Sequence, residues 1–231
     1  WSIRTGAVSE AATGFVRTVQ INFSYRKMTS TTAVKETQFT KQFAEFRSSL
    51  GGDESIADRD AAFAFFETAG FPTVRDEDWK YTNVGPLVGE QWKVVSGGNA
   101  SVNEQAAAFN FRRNGFTALN LAFADVAVVR IPRETTVIDP IELNFAAEDG
   151  TAIFPHVIVI AEAGSKATIV ETYASSGRGF TDAAIRVVVE ENASLTHYRV
   201  QKDSAESLNY GATEVEVRGG GSYDSSNINI G

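Results

Sequence analysis

Phe39, Phe43, Phe46 and Leu50 recur at i, i+4, i+7 and i+11, while Lys35, Glu36, Lys41, Glu45 and Arg47 fall outside that line. This is one stripe of a period of about 3.6 residues, and it predicts an amphipathic helix that ends at Gly51-Gly52. A second helix is predicted over Asp58 to Thr68, with Ala62, Phe63, Phe66 and Ala69 as its apolar stripe. Gly70 suits the left-handed position that follows a helix, and Pro72 stops the chain from continuing it. Aromatic stripes at helical spacing are packing surfaces, so both helices are expected to bury their rings against another layer. Between Phe71 and Leu87 dense charge is mixed with Trp79 and Tyr81. Their alternation with Asp78 and Lys80 predicts a short strand with the two rings on its buried side.

From about Phe116 onward the pattern changes to short runs of β-branched residues that repeat. At a spacing of 28 residues, Ile131, Val159, Val187 and Val215 form one column, with Val129, Val157, Ile185 and Thr213 two positions earlier. All eight are β-branched. Glu134, Glu162, Glu190 and Arg218 follow three positions after the first column, and Thr136, Gly164, Asn192 and Gly220 two further on, so each run ends in polar and turn-forming residues. Ile141, Ile169, His197 and Ser225 align less cleanly, and a one-residue insertion is expected between the two halves of the unit. A fixed period with one or two strands per unit is the signature of a stacked solenoid, because no unit buries its apolar face without neighbours. An antiparallel sandwich also has short strands, but it has no reason to hold β-branched columns at constant spacing. The expected fold is therefore mainly β: a parallel β-helix preceded by a small helical region.

Composition narrows the chemistry. The 231 residues carry 21 basic and 29 acidic side chains, a net charge of −8, and 43% hydrophobic residues, which is ordinary globular content. An acidic balance argues against a phosphate-backbone partner, whose binding rests on clustered lysine and arginine. The absence of cysteine excludes disulfides, thiolate metal sites and a cysteine nucleophile. His156 and His197 belong to no local metal-binding spacing, and each reads as a hydrogen-bonded core histidine rather than a ligand. Glu162 and Glu190 read as solvated turn carboxylates. No apolar run is long enough to span a bilayer.

Residues 1–27 carry Arg4, Arg17, Arg26 and Lys27 against Glu10, and they precede Met28, the sole methionine. This charge break marks residues 1–27 as a non-native or disordered leader, followed by a helical region over 28–95 and an incomplete β-helix over 96–231. No apolar core of a secretory signal is found, so a cytoplasmic location is expected and the sequons at Asn22, Asn99 and Asn192 carry no weight. Gly164-Ser165-Lys166 lacks the spacing of a phosphate loop.

Gly70-Phe71-Pro72-Thr73-Val74-Arg75-Asp76-Glu77-Asp78-Trp79-Lys80-Tyr81-Thr82 resembles the G-x-P-T-x-R-x-E-x-W-K-Y-T signature of the SufD subunits of the SUF iron–sulfur assembly machinery, within the SufB/SufD family. Val157 to Tyr173, Asn192 to Tyr198 and Gln201 resemble that family's β-helical core. The resemblance runs from about Phe39 to Gly231, with Val74 and Asp78 as small departures. It implies a right-handed β-helix acting as a non-catalytic scaffold that pairs with SufB and a SufC ATPase. It further implies no cofactor bound by this segment, with the cluster and ATP handled through partner subunits. The family's implicated histidine and its ATPase-contacting helices lie in a C-terminal part absent from this sequence, so no catalytic or metal residue is carried over. Arg75, Glu77, Trp79, Lys80, Tyr81 and Thr82 are expected to dock the helical region onto the β-helix. The alternative function is a carbohydrate-binding or carbohydrate-cleaving β-helix, which needs an exposed carboxylate pair on adjacent coils.

Overall fold

The computed structural model describes residues 37–51, 55–96 and 109–230. The expected leader, residues 1–27, lies outside them, as do Asn22 and Asn99. Helix α1 spans Gln38–Ser49 and α2 spans Ile56–Ala69, within two residues of the predicted positions. Thr37 caps α1: its hydroxyl accepts from the Phe39 N–H at 3.2 Å, and the Thr40 hydroxyl accepts from the Thr37 N–H at 3.1 Å. Gly51 and Gly70 follow the two helices at φ +66° and +64°, a region open to glycine at no steric cost. A short helix α3, Gly85–Gly89, precedes strand β1, Lys93–Val95.

Among the described residues nine further strands follow: β2 (Asp125–Ile131), β3 (Ile141–Ala147), β4 (Thr151–Ile153), β5 (Pro155–Ala161), β6 (Lys166–Ser175), β7 (Phe180–Val189), β8 (Ser194–Lys202), β9 (Leu208–Val217) and β10 (Ser222–Asn229). Every pairing among them is parallel, and the strands build two sheets. One stacks β2, β5, β7 and β9, with β4 and β1 extending it beside β7; the other stacks β3, β6, β8 and β10. The chain passes from one sheet to the other within each rung and returns in the next. This is the expected solenoid, with four rungs in its second sheet.

The registers correct the expected columns. Ile141, Ile169, His197 and Ser225 stand directly above one another, and the insertion expected between the two halves occurs in the first rung, as two residues rather than one. The slip lies in the first half of the unit, where Val129, not Ile131, pairs with Val159, and Ile131 pairs with Ala161. The spacing from β2 to β5 is thus 30 residues, whereas β5 to β7 and β7 to β9 keep 28. Thr136 still bridges Lys166 and Ile141 already pairs with Ile169, so the two extra residues lie in the corner Val137–Pro140, where Ile138 is 90% exposed. Because side chains alternate with period two, a slip of two leaves every residue on its face and hides in the sequence. The true turn column is Glu134, Gly164, Asn192 and Gly220, all at φ between 54° and 71°.

Two cores result. Between the sheets, Ile131, Val157, Val159, Ile169, Ile185, Val187 and Leu195 form a largely β-branched aliphatic lumen. On the outer face of the first sheet, an aromatic layer from α1 and α2 packs against Phe123, Phe154 and Phe180. At its centre is helix α4, Gly115–Phe123, which falls within the segment expected to be β-helix. It is buried along its whole length, so it shows no amphipathic stripe; its sequence signal is Asn114, whose side chain caps the Thr117 N–H at 3.1 Å. Helix α1 also covers the edge of β1. Gln38 and Gln42 accept from the Trp92 and Val94 N–H groups at 2.7 and 2.8 Å and donate to the Glu90 and Trp92 carbonyls. No helix among the described residues is long and apolar enough to cross a membrane.

Candidate functional site

The Trp79 segment is not a strand. Thr73 and Asp76 close a turn, with the Asp76 carboxylate accepting from the Thr73 N–H at 2.7 Å, and Glu77–Trp79 follows as a 3₁₀ turn. An alternation of two rings over three residues was too short a pattern to outweigh this turn chemistry. Trp79 is half-buried: its ring stacks on Phe116 of α4 at 5.2 Å and reaches Tyr210 of β9 at 5.6 Å. Arg75, Glu77, Lys80 and Thr82 are exposed, and Tyr81 is 92% exposed, with the Lys80 ammonium 5.7 Å from its ring. The motif therefore places Trp79 against the fold and leaves Tyr81 outside, contrary to the expectation that both rings share a buried side. Beside Trp79 opens a largely apolar cavity of about 180 Å³, lined by Thr82, Leu87, Phe116, Phe180 and Tyr210 among others.

A polar seam joins α4 to the first sheet. Asn120, fully buried, donates to the carbonyls of Pro155 and Asp182 at 3.0 and 2.6 Å and contacts His156 Nδ1 at 2.8 Å. Phe109 packs edge-on against the His156 ring. Burial, and secondarily the Arg59 charge, lowers the His156 pKa to about 4, so the ring is neutral. Arg59 is itself buried and donates to the Ala122 and Ala124 carbonyls at the end of α4. Burial alone pushes the Asp182 carboxyl well above the usual carboxylate range, and neither of its oxygens has a hydrogen-bond partner. Asn120 and Asp182 were not singled out in the sequence, though a lone Asn in an apolar helix and a lone Asp in an apolar strand were available signals.

A second polar group lies in the lumen. Glu171 and Tyr173 project from β6, His197 from β8 and Tyr223 from β10. Tyr173 Oη donates to Glu171 Oε2 at 3.1 Å, His197 Nδ1 lies 2.8 Å from Tyr223 Oη, and His197 Nε2 lies 3.4 Å from Glu171 Oε1. Glu171 and His197 are 0% and 3% exposed, and those facing atoms make no hydrogen bond. Burial first, then the Glu171 charge, raises the Tyr173 hydroxyl well above its ordinary value, which keeps it a proton donor. The Arg199 guanidinium lies 4.5 Å over the Tyr173 ring and donates to Asn209. His197 does stand in the apolar column read from the sequence. Its carboxylate neighbour was hidden there because Glu171 sits two residues along a different strand.

Glu162 and Glu190 each bracket neighbouring rungs. Glu162 takes the Arg130 guanidinium at 2.7 Å and the Arg133 N–H at 3.0 Å, which hold its carboxyl below the usual range. Glu190 accepts from the Ala163 N–H at 3.1 Å and pairs with Arg218. Among the described residues no three His, Asp or Glu side chains gather as a metal cluster.

Comparison with known proteins adds two family matches in chain order. Residues 33–110 match the SufBD protein N-terminal region, and residues 144–231 match the SufBD core domain of SUF-system FeS cluster assembly. The chain is also similar to an iron–sulfur cluster assembly SufBD family protein of Synechocystis sp., 32% identical over 130 residues, which covers 50% of this chain and 29% of that relative. No solved structure matches.

Proposed function

The chain belongs to the SufB/SufD family, and from that membership we propose that it is a SufD-type, non-catalytic scaffold subunit of the machinery that assembles iron–sulfur clusters. The observation that carries the reading is the order of the two family matches: one covers α1, α2 and the Trp79 segment, the other covers the rungs from β3 to β10. The chain spans 29% of the length of the relative it matches. In this reading the chain supplies shape, a SufB-like scaffold pairs with it, and a SufC-like ATPase supplies hydrolysis, in the cytoplasm. The cluster and the nucleotide are handled through those partners. The turn carboxylates support the scaffold over a carbohydrate-cleaving role, since both already bind a backbone N–H and an arginine of the solenoid.

Co-expression of the complete reading frame that carries this chain, with its C-terminal part, together with SufB and SufC of the same source, followed by mass measurement of what co-purifies, tests the proposal. A stable complex containing all three subunits is expected. A chain that purifies without either partner overturns it.

A further inference from the structure

We infer that His197 and Glu171 hold a single divalent transition-metal ion inside the solenoid, bound by His197 Nε2 and Glu171 Oε1. The inference stands on the lumen geometry alone and does not depend on the assembly role. In folded proteins almost all buried polar atoms find hydrogen-bond partners, because an orphan keeps the full cost of leaving water. Here two such orphans, on side chains at least nine-tenths buried, face each other across a gap of 3.4 Å. Bonds of about 2.0–2.1 Å set at tetrahedral angles place two ligand atoms roughly 3.3–3.4 Å apart, which is this separation.

The surrounding groups are arranged as supports for ligands. A histidine that binds metal through one nitrogen gives its other N–H to a fixed acceptor, which sets the tautomer. Tyr223 Oη stands 2.8 Å from Nδ1; with the proton on Nδ1, Nε2 keeps its lone pair free, and Glu171 Oε1 lies 3.4 Å from it. Tyr173 Oη occupies Glu171 Oε2 and leaves Oε1 bare. The lumen cation beside them, Arg199, is engaged by the Tyr173 ring and Asn209. Each ligand thus has one hydroxyl partner on its far atom and none on its near atom. One imidazole and one carboxylate, with no thiolate, suit Zn²⁺, Fe²⁺ or Co²⁺ as a lone ion, not a cluster that needs sulfur ligands. Two protein ligands leave two positions for water and make the ion exchangeable.

The test is titration of the metal-free full chain with Zn²⁺ by calorimetry and with Co²⁺ by visible absorption, with far-UV circular dichroism and a urea midpoint for every variant. One ion per chain is expected, with the intense visible bands of tetrahedral Co²⁺. His197→Gln and Glu171→Gln should each abolish those bands. Tyr223→Phe keeps both ligands and should weaken binding about 10–100-fold, the usual effect of removing an outer-shell partner. If Glu171→Gln fails to fold, His197→Gln and Tyr223→Phe decide. Absence of binding, or an ion retained unchanged by the folded variants, overturns the inference.

Discussion

The two faces of the first sheet bury similar strands by different means. Inward, Val157, Val159, Ile185 and Val187 stack like on like, each column repeating what lies on the next rung. Outward, Ile158 and Ile160 meet a layer of rings that repeats nothing: Phe123 alone contacts Phe39, Phe43, Phe46, Phe63 and Phe154, at centroid distances from 5.1 to 6.3 Å. The lumen is specified by period and tolerates a slip of two residues; the outer layer is specified by shape at a few large side chains. Energy should therefore be concentrated outside and distributed inside.

Phe123→Ala is the hardest break. It removes a fully buried ring from the centre of the outer layer and should cost about 3–5 kcal/mol, read from urea denaturation. Acid comes next. His156 is held near pKa 4 in the fold against 6.5 when unfolded, so below pH 6.5 the unfolded chain binds a proton that the folded one refuses. Stability from this group is full above pH 6.5 and falls by about 3 kcal/mol as the pH drops to about 4. Asp182 works in the opposite sense. Its raised pKa means that the fold binds the extra proton, so its contribution is present at low pH and is lost as pH rises above its unfolded value. The two slopes oppose each other on the outer face of one sheet. Asp182→Asn should raise stability at neutral pH and reveal the full acid loss of His156; an unchanged pH profile would refute the opposition.

Inside, Ile185→Val deletes one methylene from a column with neighbours above and below and should cost about 0.5–1.5 kcal/mol. A loss equal to that of Phe123→Ala would erase the contrast between the faces. Smallest of all, Tyr81→Ala should change stability by no more than about 0.5 kcal/mol, since the ring is 92% exposed. In the co-purification experiment the same variant asks whether Tyr81 touches a partner.

Legibility in the sequence followed the same division. Period carried the solenoid and the helices α1 and α2, because alternation and the helical stripe survive without knowledge of partners. Shape was illegible. Helix α4 is buried all round and lacks a stripe, and the Trp79 turn is set by Thr73 and Asp76 rather than by the rings it presents. Of the polar groups, His197 was placed in its column, but its pairing with Glu171 joins different columns on adjacent strands. The Asn120 seam needed the missed helix. Register was half legible: the second-sheet column of Ile141, Ile169, His197 and Ser225 was in place although it looked the less regular, while Ile131 and Val129 are so alike that a shift between them left no trace.

The constant spacing of the later rungs reaches into the gene. From Val157 to Val217 each strand residue sits beside the one 28 positions on in its sheet. Excision or duplication of 28 codons inside that stretch removes or adds one coil and rejoins every lumen column, much as lifting one plate from a stack leaves the others aligned. A change of 27 or 29 codons turns the strands downstream inside out, because side chains alternate faces. Unequal crossing-over between rungs is thus filtered by parity as well as by reading frame, and the corner at Val137–Pro140, longer by an even two residues, is a length change that passes the filter.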